Sequence, residues 1–227
     1  AKLEAEQGAE SGLLVVSDMQ SAGRGRRGRG WESPAGINIY YTLMLKPDFS
    51  SDCAPMLTLV MALAVAKGIR QTLRRDSEEV AAKVGIKWPN DIVVDGKKVC
   101  GILTEMSMEQ GYIQHIVIGV GINVRKQEFP EEIRDRAAAI DEQCGFRISR
   151  SQLIADIMEA FEEDYEIFLQ THDLKGLRAS YAELLVNQDR EVCVLDPKGE
   201  YRGIAKGIND QGELLVERPD GTGEGVY

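Results

Sequence analysis

The stretch KWPNDIVVDGKKVCGI, residues 87–102, decides how this chain folds. Asp95-Gly96 at its centre is the strongest short hairpin signal in the sequence, because both positions tolerate positive φ. A two-residue turn there pairs Val94 with Lys97, Val93 with Lys98, Ile92 with Val99 and Asp91 with Cys100. Asp91 and Lys98 then share one face of the hairpin, diagonal to each other at roughly 7 Å between backbones. On that face Lys98 keeps company with Cys100, Ile102, Thr104 and Met106. Trp88-Pro89 forces an extended approach, so Lys87 and Asn90 flank the same pocket. From pairing alone, a structural ion pair and a cation placed to meet an anion stand level for Lys98.

Working outward, a Glu-Gln-Gly turn separates the return strand, residues 97–107, from a further strand over 112–124. Three strands joined by tight turns predict an antiparallel meander. Residues 13–17 (LLVVS) and 37–45 read as two more strands. From Pro55 the chain becomes Ala/Leu/Met-rich and closes on arginines, which predicts a largely buried helix with cations at its C-terminal dipole. Residues 149–170 and 174–185 read as amphipathic helices, the first with Ser149 or Ser151 as N-cap, and 129–140 as helical or irregular. After Asn187, REVCVLD, EYRGIAKGI and ELLVERP read as three short strands, with turns at Pro197-Lys198-Gly199 and 209–212. The expectation is an α+β protein, a mixed and mainly antiparallel sheet backed by helices over 1–186, then a small C-terminal barrel over 187–227.

Composition narrows the function. The chain has 227 residues, 43% hydrophobic and 28% charged, with a formal net charge of −10. That acidic balance weighs against general nucleic-acid binding, which needs a broad basic surface. No uninterrupted apolar run approaches ~18 residues, so no membrane span is predicted. The N-terminal AKLEAEQGAE lacks the pattern of a signal peptide. Cys53, Cys100, Cys144 and Cys193 form no CxxC pair, which argues against a zinc site or disulfide framework and suits a reducing cytoplasm. His115 and His172 are the only histidines, and His115 reads as a strand residue, so neither a His-dependent triad nor a poly-His metal centre is expected.

Against this acidic background, SAGRGRRGRGW, residues 21–31, carries arginines 24, 26, 27 and 29 between glycines 23, 25, 28 and 30. Glycines let backbone N–H groups curl toward an anion, and arginines add planar forks suited to carboxylate or phosphate. In isolation a disordered linker or an RGG-type RNA contact explains the loop equally well. Its position between two strands of a core sheet favours the anion. Gly119-Val120-Gly121-Ile122-Asn123 is a poor dinucleotide fingerprint, lacking a third glycine, and no GxxxxGK[ST] loop exists.

Taken together, GRGRRGRGW, KWPNDIVVDGKKVCGIL and GVGINV, in this order and spacing, resemble the catalytic domain of the biotin protein ligases (biotin–[acetyl-CoA-carboxylase] ligases) over nearly the whole chain. The resemblance implies the class II synthetase-like catalytic fold and an SH3-like C-terminal barrel. It implies attack of biotin's carboxylate on the α-phosphate of ATP, with Mg2+, to give biotinyl-5′-adenylate, then transfer to a lysine of a biotin carboxyl carrier protein. Catalytic roles fall to Lys98, Arg26 and Asp91, and biotin contacts to Gln20, Arg24, Gly25, Arg26, Lys98 and Gly101. Arg26, Arg29, Trp31, Lys87, Asn90 and Asn123 match positions around ATP, with Trp31 able to cover the adenine. Asp91 either orients and deprotonates the incoming lysine or restrains Lys98. The family's Ser-Thr-Asn stretch would precede Ala1, its last strand reads more like GEVSVRG than the GEGVY here, and its DNA-binding winged helix has no counterpart. Both ends are therefore expected to be incomplete, with no DNA, RNA or membrane partner for this chain. A cytoplasmic location is expected, and sheet edges offer a homodimer surface. A lipoate–protein ligase is the rival within enzymes; a nucleic-acid module using the arginine loop is the rival outside them.

Overall fold

The computed structural model describes residues 1–196 and 199–227. The turn at Asp95-Gly96 forms with φ of 50° and 76° and joins β4 (Asp91–Val94) to β5 (Lys97–Glu109). Pairing begins as expected, Val94 with Lys97 and Val93 with Lys98, but then Ile92 meets Cys100 and Asp91 meets Gly101. Val99 is the extra residue of a β-bulge. Its carbonyl accepts from Asn123 N–H, while Lys98 pairs its own backbone with Arg136 and Ala138. The irregular 129–139 segment thus supplies the partners that hold the bulge.

The slip reverses the facing of every residue beyond it. Val99, Cys100 and Ile102 are buried in the core, and Thr104 Oγ1 accepts from Thr58 on the helical side. Lys98 therefore does not share a face with Cys100, Ile102, Thr104 and Met106; it stands with Gly101, Leu103 and Glu105 on the opposite face.

Around this hairpin lie β1 (Leu13–Ser17), β2 (Ile39–Leu45), β3 (Val84–Lys87) and β6 (Tyr112–Ile122). They form one six-stranded sheet in the order β1-β2-β6-β5-β4-β3. Every pairing of named strands in it is antiparallel. Helix α1 (Lys2–Glu6) packs Ala5 on Met44 and Val117 at one end of the site face.

The other face carries α2 (Leu57–Arg74), entered through a 3-10 turn at Ser51–Met56, and α5 (Arg150–Thr171) packed upon it. By length and apolarity Ser51–Arg74 qualifies as a membrane crossing, contrary to the reading from uninterrupted runs, but it is the sequestered central helix of this core. Two acidic groups of α5 tie the pair: Asp164 to Lys67 at 2.5 Å, and Asp156 to Arg75 at 2.6 Å. Ser149 caps α5, accepting from Gln152 N–H. Two short helices, α3 (Glu78–Ala81) and α4 (Ile140–Cys144), and a shortened α6 (Arg178–Leu184) complete this part.

The C-terminal sheet runs β10-β9-β8-β7, from β7 (Glu191–Asp196), β8 (Gly199–Ile208), β9 (Leu214–Glu217) and an unexpected fourth strand, β10 (Gly223–Val226). In place of the expected small SH3-like barrel, the described strands form an open four-stranded sheet whose ends do not pair. Its apolar residues Ala205, Ile208, Leu214 and Val216 join the main core, so the strands have no interior of their own to close around. The turn read at Pro197-Lys198 lies outside the described residues.

Candidate active site

The bulge puts a glycine-paved strip on the exposed face of the sheet. Gly101 pairs with Gly121 and Leu103 with Gly119 across β5 and β6, and Tyr40 and Thr42 of β2 continue the strip. Above it the residues after β1 return as a small hairpin instead of an open coil. Trp31 N–H donates to Gly23 O at 2.9 Å and Gly25 N–H to Arg29 O at 2.7 Å. Its tip uses left-handed backbone at Arg27 and Gly28. Between strip and hairpin lies a cleft of about 470 Å³.

Gln20, Arg24, Gly25, Arg26, Trp31, Asn90, Lys98 and Gly101 all line this cleft. The sequence separates them by up to 81 positions, and strand register brings them together. Arg26 donates from Nη1 to Asn90 Oδ1 at 3.0 Å, and Asn90 Nδ2 donates to Ile102 O, so the loop is moored to the turn before β4. Gln20 Oε1 accepts from Ser33 Oγ at the hairpin's base. Lys98 Nζ lies 2.6 Å from Asp91 Oδ1, a close ion pair without hydrogen-bond alignment. Asp91 reaches the cleft only through that lysine.

Trp31 lies flat on the glycines. A Cβ on Gly121 would sit 2.5 Å from the indole, closer than real side chains approach, so only glycine accepts the ring there. Lys98 Nζ is 5.6 Å from the ring centroid, within cation–π range. The indole Nε1 is buried and has no hydrogen-bond partner among the described residues. In this state the ring rests on the floor of the cleft.

Besides Asp91, three of the residues singled out in the sequence stand outside the lining. Arg29 is exposed on the returning arm of the hairpin. Lys87 is exposed at the end of β3, the outermost strand, where it pairs with Asp91 and so stands two strands from Gly101. Asn123 is buried just past β6, with its backbone bound to Val99 and Ile140. Conversely, two charged side chains of the lining went unread: Lys2, and Glu105 on β5. Glu105 follows Gly101 and Leu103 at the strand's period of two, a signal legible only once the bulge is known.

The charge balance of the cleft suits an anion. Lys2, Arg24, Arg26 and Lys98 face the cleft against one carboxylate, Glu105. Cys100 lies directly behind the floor, but burial pushes its thiol well above the usual range, so it supplies no thiolate at neutral pH.

Residues 2–123 match the biotin/lipoate A/B protein ligase family and residues 189–225 match the biotin protein ligase C terminal domain. The bifunctional ligase/repressor BirA of Bacillus subtilis is 37% identical across 96% of this chain, which spans 65% of that relative's length. The biotin–[acetyl-CoA-carboxylase] ligase of Paracoccus denitrificans is 29% identical across 96% of this chain and 90% of its own. Among solved structures, the biotin protein ligase from Aquifex aeolicus in complex with biotin and ATP superposes with a TM-score of 0.82, at 27% identity, over 99% of this chain and 90% of that one. By its sequence over more than half its length, and in agreement with its fold, the chain belongs to the biotin/lipoate A/B protein ligase family.

Proposed function

We propose that this protein is an ATP-dependent biotin–protein ligase. It activates biotin as biotinyl-5′-adenylate and transfers it to a lysine of a biotin carboxyl carrier protein or domain, in the cytoplasm. The observation that carries the reading is the cleft itself: a glycine floor long enough for an acyl chain, with Lys98 at one side and Arg24 and Arg26 above. The names of the relatives and the ligands of the Aquifex structure support the choice of substrates.

In the first step the carboxylate oxygen of biotin attacks the α-phosphorus of ATP and pyrophosphate leaves. ATP enters as its magnesium complex, the ion carried on the substrate's phosphates. Both reactants are anions, so Arg24, Arg26 and Lys98 offset their repulsion and hold them for in-line attack. The hairpin then excludes water from the mixed anhydride, which water would hydrolyse. In the second step the amine of the carrier lysine attacks the acyl carbon and AMP leaves. That amine has a free pKa of ~10.4 and must give up a proton; Asp91, behind Lys98, is the candidate to take it, with restraint of Lys98 as its other role. The edge of β5 beyond Ile102, which pairs with no strand among the described residues and has Met106 and Met108 exposed beside it, is where a carrier or second copy would dock.

The test is ATP–pyrophosphate exchange with biotin, lipoate or no added acid. Exchange dependent on biotin is expected. Exchange with lipoate alone would move the chain to the lipoate branch of its family, and exchange with neither would reject the adenylation reading for this chain.

A further inference from the structure

We propose that Glu105 is a positioning residue that latches the Arg/Gly hairpin over the cleft through Arg24. Among the described residues, Glu105 is the sole carboxylate lining a cleft rich in cationic side chains. A bare carboxylate there would oppose an anionic substrate, so its presence calls for a different use. Both of its oxygens are engaged: Oε1 accepts from Lys2 Nζ at 2.9 Å and Oε2 from Arg24 Nη2 at 3.0 Å.

As a device for global stability the Arg24 contact counts for little, since the arginine side chain is 63% exposed and solvent screens the pair. As a device for placing a loop it is well sited. Arg24 and Arg26 flank Gly25, and each has its own anchor: Glu105 on the floor strand for one, Asn90 on the turn before β4 for the other. The hairpin is thereby moored on both sides of the cleft. Losing either anchor leaves a glycine-rich lid free to swing, and a lid that swings admits water. The latch itself follows from the geometry alone. Its consequence for catalysis rests on the adenylate-forming reading given above.

Trypsin reads the latch directly, because the hairpin offers cleavage after Arg24, Arg26, Arg27 and Arg29. In the ligand-free protein Glu105→Gln is expected to be cut within residues 24–29 about fivefold faster than wild type. Raising salt to about 0.5 M should accelerate cleavage of wild type and leave the variant unchanged, since only wild type has an exposed ion pair to screen. Lys2→Met should behave as wild type. Cleavage of Glu105→Gln at the wild-type rate would overturn the proposal. So would equal acceleration by Lys2→Met, which would mean that α1, and not Arg24, is what Glu105 holds.

A second arm measures AMP released per biotin transferred to a carrier domain, expected to rise several-fold in Glu105→Gln as the anhydride hydrolyses to biotin and AMP. Faster cleavage without extra leakage would overturn the catalytic consequence. Absence of any biotin-dependent AMP in both proteins would instead reject the ligase reading and leave the latch standing on its proteolysis.

Discussion

Lys98 and Asp91 lie 2.6 Å apart with 35% and 24% of their side chains exposed, so their attraction is partly screened and contributes little to stability. The pair's value lies in where it puts two functional groups. The ammonium is held at the cleft wall beside Gly101 and Trp31, and the carboxylate stands behind it. Asp91→Asn keeps the shape and removes the charge. If Asp91 accepts the proton of the incoming lysine, transfer from preformed adenylate falls about 100-fold while pyrophosphate exchange stays within about threefold. Single-turnover transfer to a carrier domain measures the first quantity and exchange the second. Equal losses in both would assign Asp91 only to restraining Lys98. At this scale the sequence was half legible. The hairpin turn announced that Asp91 and Lys98 would meet, because Asp-Gly tolerates positive φ at both positions. It did not announce which face they would share, because the bulge at Val99 depends on partners near residue 136 that no local spacing encodes.

At the scale of elements, the glycine strip and the Arg/Gly hairpin work as floor and lid. A methyl group on Gly121 would meet the Trp31 indole at 2.5 Å, so Gly121→Ala must lift the ring or narrow the cleft. The expected result is a rise of about tenfold in the KM for biotin, with the thermal midpoint little changed, because the contact is with a side chain resting on an exposed face. Equilibrium binding of biotin beside a melting curve checks both. The α2–α5 pair carries a different prediction. Burial alone would raise the Asp156 carboxyl, but hydrogen bonds from Arg75, Thr72 and Gln152 outweigh it and hold the group below its ordinary value. A carboxyl depressed in the folded state lends stability above its unfolded value of ~3.9 and loses it as pH falls through the lower folded value. Asp156→Asn should therefore lower the midpoint at neutral pH by at least about 3 °C, and the gap to wild type should shrink below about pH 4. A constant gap from pH 7 to pH 3 would refute the assignment. These helices were plain in the sequence from apolar content and the Ser149 cap. Helix α1 and Glu105 were not, since five residues with one buried alanine leave no periodic trace.

At the scale of the whole molecule, the issue is whether the second sheet is an appendage or part of the machine. Read locally, turn chemistry after Asn187 suggests a self-contained barrel, because short strands with Gly and Asn turns look alike whether they close or not. The packing says otherwise. Leu214 and Val216 belong to the same core as Leu59 and Val60 of α2, and Val186 N–H donates to Ile86 O at the proposed boundary. Trp88 bridges the two parts: its backbone N–H donates to Asn187 Oδ1 at 2.9 Å and its indole N–H to Gly212 O at 3.0 Å. That tryptophan opens the turn carrying Asn90, to which Arg26 is moored. Loosening the small sheet should thus be felt at the lid. Leu214→Ala, at a site only 4% exposed, is expected to cost about 2–5 kcal/mol and to lower the midpoint of one transition shared by the entire chain. Far-UV circular dichroism, which follows the helices, and tryptophan fluorescence in a Trp31→Phe background, which follows Trp88, should give coincident unfolding curves in wild type and variant alike. If fluorescence moves first while the helices persist, the second sheet unfolds on its own, and its reach into the cleft through Trp88 and Asn90 is refuted with it.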